Sequence, residues 1–194
     1  MKTIATALLA GAALILSGTL ALADGDPYAE TISSFKNAGQ SSNYFKSAYG
    51  YAVFPTVGKG GFGVGGAYGK GRVYEKGKLV GDASISQLSI GFQAGGQAYS
   101  EIIFFENNAA FDNFTAGNFE LGADFSAVAI TAAAQAGATT AGGTSSSASG
   151  GKNNATTASN TDYTKGMKVF VIVKGGAMAE AAVGGQKFSY KSRG

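Results

Sequence analysis

The chain contains no cysteine, no histidine and no tryptophan. Without cysteine there is no disulfide framework and no thiol nucleophile. Without histidine as well, His-based triads and nearly all zinc sites are excluded. Proline is scarce, at 2 residues, and charged residues make up 14% of the 194 positions. Asp/Glu pairs remain for acid–base chemistry, but none sits in a recognisable motif. Neither a cofactor nor a metal is expected, and no enzyme class is supported. Residues 79–136 hold six acidic side chains and no Lys or Arg at all.

Glycine is abundant, at 31 residues. With so little proline, that favours a turn-rich β protein over a helical one. The flanking stretches are basic: residues 43–78 and 137–194 each carry a net +5, against −6 for 79–136. If the two basic stretches meet in space, the molecule has a basic face and an acidic one.

The first residues read as an export signal. Lys2 precedes the apolar run Ile4–Leu16, and Ala21-Leu22-Ala23 has the small-residue form of a cleavage site. The run is short for a membrane span, which needs about 20 residues. Cleavage between Ala23 and Asp24 is expected, giving a periplasmic or secreted chain. Leu16-Ser17-Gly18 resembles the start of a lipoprotein box, but Thr19 stands where the lipidated cysteine would be. The remainder, 24–194, suits one domain.

Asp26-Pro27 is a good helix start, and Tyr28, Ile32 and Phe35 fall one turn apart, so a helix is predicted over 26–38. Its acidic first turn fits packing on its own domain better than lying on an anionic membrane. Strands are predicted at 49–54, 62–68, 71–75, 78–83 and 85–92, with a hairpin turn at Lys76-Gly77. Tyr99–Phe105 holds Ile102-Ile103-Phe104-Phe105 with no polar break, as in a strand buried on both faces. Glu101 and Glu106 flank it as gatekeepers would. Asn107 or Asn108 can cap a short helix through Phe111 and Phe114, ended by Gly117. Glu120–Ala134 is small and apolar and reads as strand at its start. Residues 137–161 are nearly all Ala, Gly, Ser, Thr and Asn, which cannot bury enough apolar area to offset ordering. They read as a flexible insertion. Further strands are expected at 167–173, 177–183 and 186–190, with turns at Gly175-Gly176 and Gly184-Gly185. The fold class is mainly β (α+β): a curled or closed antiparallel sheet of short Gly-rich strands, an N-terminal helix and one or two short helices.

Ala48–Gly71, AYGYAVFPTVGKGGFGVGGAYGKG, is the most informative segment. Gly61-Phe62-Gly63-Val64-Gly65-Gly66 matches G-x-G-x-x-G, but Ala67-Tyr68-Gly69-Lys70-Gly71 after it will not make the helix a dinucleotide site needs. Gly69-Lys70 lacks the Ser/Thr of a phosphate-binding P-loop. Nucleic acid is not an expected partner of an exported chain with this modest charge. Glycine-exposed backbone beside cations instead suggests an anionic partner. The candidates are Lys59, Lys70, Arg72, Lys76 and Lys78, with Phe62 and Tyr68 seating at an interface.

The block AYGYAVFPTVGKGGFGVGGAYGKGRVYEKGKLVG resembles the signature of the SYLF domain. QLSIGFQAGGQAYSEIIFFENNAAFDNF is similar to the S-x-G-x-Q-x-G segment of that family and its following strand, and VFVIVKGGAMAEAAVGGQKFSY to its closing element. The resemblance covers about Thr31 to Tyr190. It implies a lipid-binding domain; eukaryotic members bind phosphoinositides and some bind actin, while bacterial members are often exported. This chain departs from the pattern in the missing lipoprotein cysteine, in Ala177-Met178-Ala179 and in the 137–161 insertion. The expected function is non-enzymatic binding of anionic lipid headgroups. A structural or protein-interaction module of the envelope is the alternative, and a small outer-membrane barrel a more distant one.

Overall fold

The computed structural model describes residues 25–62, 64–90, 95–130, 163–175 and 183–194. The expected cleavage site at Ala23 and Asp24, the 137–161 insertion and the strand expected over 177–183, except Val183, lie outside them. Helix α1 spans Pro27–Asn37, with proline in its first turn and the Asp26 carboxylate accepting from Tyr28 N at 3.1 Å. A single turn, α2, spans Tyr44–Ser47. Four long strands follow: β1 Gly50–Phe62, β2 Val64–Glu75, β3 Lys78–Ile90 and β4 Gly95–Phe105. Helix α3, Asn108–Thr115, is capped by the Asn107 side chain, which accepts from Ala110 N at 3.0 Å. The remaining strands are β5 Asn118–Glu120, β6 Ala127–Ile130, β7 Met167–Gly175 and β8 Lys187–Ser192.

All eight join one sheet in the order β5-β8-β3-β2-β1-β4-β7-β6. The mainly-β expectation holds, and the sheet is curled and open rather than closed. The sheet is not wholly antiparallel: β6 runs parallel to β7. Its first four strands are also long, at 11 to 13 residues, where the sequence predicts short glycine-broken ones. Two devices explain this. Pro55 has no N–H to give a ladder, and the register of β1 slips there against both neighbours, between Val53 and Thr56 on one side and Phe54 and Val57 on the other. The bulge lets the strand pass through proline. The Pro55 carbonyl accepts from Ser100 Oγ at 2.7 Å instead. Gly71 supplies the second device. A Cβ there would collide with the Phe54 ring, so glycine makes the space that this ring fills.

The β2–β3 turn is as the sequence predicts. Lys76 and Gly77 take φ 47° and 82°, the doubly positive pair that matches strand twist in a two-residue hairpin.

Both faces of the sheet are covered near its middle. On one face, α3 brings Phe111 and Phe114 against Phe54, Phe105 and Phe188. On the other, α1 and α2 bring Phe35 and Tyr44 against Val53, Ile102, Phe104 and Phe170. Ile102, Ile103, Phe104 and Phe105 alternate between the two cores and are all fully buried, which is why this run carries no polar break. Each such side chain contributes about 1.5–3 kcal/mol.

Candidate functional site

Strand alternation decides which basic residues share a face. Along β2, Ala67, Gly69, Gly71 and Val73 point to the α3 face and are buried; Tyr68, Lys70, Arg72 and Tyr74 point to the α1 face. The ladder then carries the α1 face across β3 and β8. Tyr68 opposes Ser86, Lys70 opposes Ser84 and Arg72 opposes Asp82. Those three oppose Lys187, Ser189 and Lys191 in turn. The Ser84 and Ser189 hydroxyls lie 2.7 Å apart and tie the two strands.

Helix α1 stops short of this field, and no described element covers it. Tyr68 is 56% exposed and Leu88, on the same face of β3, 76%. A groove of about 290 Å³ runs between Tyr28 of α1 and the sheet, lined by Tyr68, Lys70, Ser84, Ser189 and Lys191 among others. Lys70 and Lys191 have no carboxylate within ion-pair distance among the described residues. Lys187 lies 3.8 Å from Glu120, both side chains well exposed; such a pair is weak and easily exchanged. Lys174 of β7 donates to Thr56 Oγ1 at 3.2 Å, and Thr56 opposes Lys70 on β1. The two basic sequence segments therefore do meet on this face.

The groove's floor is held by other charges. Arg72 bonds Asp26 at 2.7 Å while its guanidinium lies 3.9 Å above the Tyr28 ring. It fastens the start of α1 to the sheet and is already occupied. The Tyr28 N–H bond chiefly holds the Asp26 carboxyl below its ordinary range; burial opposes it and Arg72 supports it. Arg193 grips Asp82 with two bonds of 2.7 Å, which lowers that carboxyl likewise.

The remaining sequence candidates lie elsewhere. Lys59 opposes Ala67 and Gln97, which puts it on the α3 face, half-buried, with the sheet between it and Lys70. Lys76 and Lys78 stand at the β2–β3 turn, six residues or more along the strand from Lys70, or about 20 Å. Lys76 covers the Tyr49 ring at 4.8 Å. Phe62 is the last residue of β1, at the opposite end from that turn; its side chain lies outside the described residues. Of the seven binding candidates, the structure brings Lys70, Tyr68 and Arg72 together. Sequence reasoning missed Tyr28, Leu88, Lys187 and Lys191 as members of this surface. The signal for the lysines was present in Lys187-Phe188-Ser189-Tyr190-Lys191, where only Phe188 is buried.

Glu101 is not a flanking gatekeeper; it is completely buried on the α3 face, whereas Glu106 is exposed. Gln186 Nε2 donates to Glu101 Oε2 and to Tyr99 Oη, each at 3.0 Å. Burial pushes the carboxyl up to about 8, opposed only by the Gln186 bond. The cause of the misreading is strand parity: Glu101 opposes Phe54 and Val171, both core residues.

The family model described as Ysc84, Las17-binding protein actin regulator, matches residues 86–193. The chain belongs to this family, the SYLF-domain family. The match takes in the end of β3 and every later element of this SYLF domain, including Leu88, Glu101, Lys187 and Lys191. Strands β1 and β2, with the glycine-rich block, precede it and form the centre of the same sheet. The family is one of binding domains, with lipid- and actin-related binding. No curated protein matches the chain. No described helix is long and apolar enough to cross a membrane.

Proposed function

We propose that this SYLF domain is a non-enzymatic module that docks on anionic lipid surfaces through the bare α1-side field of β2, β3 and β8. The observation that carries this reading joins two kinds of side chain. Tyr68 and Leu88 are exposed and apolar, and beside them Lys70 and Lys191 have no ion-pair partner among the described residues. A basic residue near an anionic membrane gains about 1 kcal/mol. Tyr68 is suited to the headgroup layer, where an amphipathic ring has one apolar and one wet side. A few such contributions give reversible, salt-sensitive attachment rather than permanent anchoring. With the expected export signal cut after Ala23, the module works in the periplasm or outside the cell.

The alternative of a protein-interaction module working through exposed strand edges has less support. The outermost strands β5 and β6 are only three and four residues long, and short edges are poor templates for strand addition. The open sheet and the helices on both its faces also argue against an outer-membrane barrel.

Liposome sedimentation of the protein starting at Asp24 tests the reading. Binding to vesicles with anionic lipid should exceed binding to zwitterionic ones and fall as salt rises. The double reversal Lys70→Glu/Lys191→Glu should abolish it, and Leu88→Ser should weaken it. Protein that ignores anionic vesicles at low salt would move the interaction-module reading ahead.

A further inference from the structure

A second, smaller cavity lies where β1 begins. It holds about 140 Å³ and is lined by Lys36 at the end of α1, Phe45 of α2, Tyr49 and Tyr51 around the start of β1, and Lys76 at the hairpin turn. Three separate pieces of chain therefore build it. The turn is fixed to its wall because Lys76 N donates to Tyr49 O at 3.0 Å. Each lysine is held over an aromatic ring of that wall: Lys36 Nζ is 5.4 Å from the Phe45 centroid and Lys76 Nζ 4.8 Å from that of Tyr49.

We propose that this cavity binds a small soluble phosphomonoester. Neither ammonium has a carboxylate within ion-pair distance among the described residues. A ring face attracts a cation without neutralising it, so two positive charges border one cavity. Glu75 is near, but its carboxylate is held by the phenol of a wall residue, accepting from Tyr49 Oη at 2.5 Å, and pairs with neither ammonium. That bond raises the Tyr49 phenol, and burial pushes the Tyr51 phenol up to about 12, so neither ring brings a negative charge at neutral pH. A phosphomonoester carries roughly −1.5 to −2 near pH 7, which matches two lysines better than a monovalent carboxylate does. Size narrows the choice further. Pockets for larger ligands run from about 300 Å³ upward, so this one takes a phosphate and a few carbons, not a nucleotide.

The cavity is also remote from the proposed lipid face. It adjoins Gly50, whereas Tyr68 opposes Gly58 and Leu88 lies level with Gly60, eight and ten residues on, or about 26 and 33 Å along the strand. The cavity thus stands apart from Tyr68 and Leu88, and with its small volume it suits a ligand taken from solution.

Glycerol 3-phosphate is the probe, titrated into isotope-labelled protein and followed by amide shifts. The amides of Gly50 and Gly77 should move, and inorganic phosphate should compete. Lys36→Gln and Lys76→Gln should each weaken binding about tenfold, as loss of one charge-assisted contact does. Lys70→Glu/Lys191→Glu should leave it unchanged, which separates this site from the lipid face. Both glutamine changes are at exposed positions, and an unchanged spectrum elsewhere shows that the fold is kept. Absence of shifts at tens of millimolar probe would overturn the proposal. So would full binding in the Lys36→Gln/Lys76→Gln protein, or binding of phosphatidic-acid vesicles through these lysines while the free ester stays inert.

Discussion

At the scale of single residues, the consequential side chain is Glu101. A carboxyl in a dry interior is cheaper neutral than charged. The unfolded chain ionises it near its ordinary value of 4.5, the folded chain only near about 8. Below 4.5 both states are protonated at Glu101, and its burial costs the fold nothing in charge. Between 4.5 and about 8 the unfolded state alone releases the proton, so the fold loses stability as pH rises. Wild-type protein should therefore melt lower at pH 8 than at pH 5. Glu101→Gln, equal in shape and never charged, should flatten that part of the profile and gain most at pH 8. A difference between the two proteins that is constant from pH 5 to 8 would show that Glu101 is ionised in the fold throughout. Asp26 offers a simpler comparison. It caps α1 and holds Arg72. Asp26→Ala should lower the melting temperature more than Asp26→Asn, because asparagine keeps the cap and loses only the ion pair.

Among the elements, β1 and β2 depend on glycine in two different ways. Gly71 stands against the Phe54 ring, whereas a Cβ at Gly58 would meet nothing within 4 Å. Gly71→Ala should cost about 1–3 kcal/mol through overpacking, and Gly58→Ala less than about 0.5. Denaturant titration of both variants measures this directly. Equal losses would mean that Phe54 swings clear and that the glycine is not a packing requirement. Much of the local structure is legible in the sequence alone. The caps Asp26 and Asn107, the turn at Lys76-Gly77 and the buried run Ile102–Phe105 all lie where the sequence puts them, because each is decided by residues within a few positions of one another. Strand length is not legible. Pro55 and the glycines after it have poor strand propensity, and only the two flanking strands, with Ser100 taking the Pro55 carbonyl, keep β1 extended through them.

In the whole molecule, the distribution of charge comes from pairing order. The sheet sets β8 beside β3 and β3 beside β2, which gathers Lys70, Lys187 and Lys191 on one side. Lys59, only eleven residues before Lys70, falls on the other side. If lipid docks on the α1-side field, Lys59→Glu should leave binding to anionic vesicles near the wild-type level at moderate salt, where charges more than about 8–10 Å apart are screened. A loss as deep as that of Lys70→Glu would mean that both faces meet the membrane, or that the surface is chosen by net charge alone.

By itself the sequence determined the β-rich class, the family, the helix caps, the hairpin turn and the doubly buried strand. These rest on side-chain chemistry and on periodicities that any local window contains. Only the tertiary structure decided that Glu101 faces inward, that Arg72 is spent on α1, that β6 runs parallel to β7, and which lysines stand together. Each of those depends on a partner distant in the chain. A one-residue change of register reverses the face of every side chain on a strand, and the bulge at Pro55 makes such a change in the middle of β1.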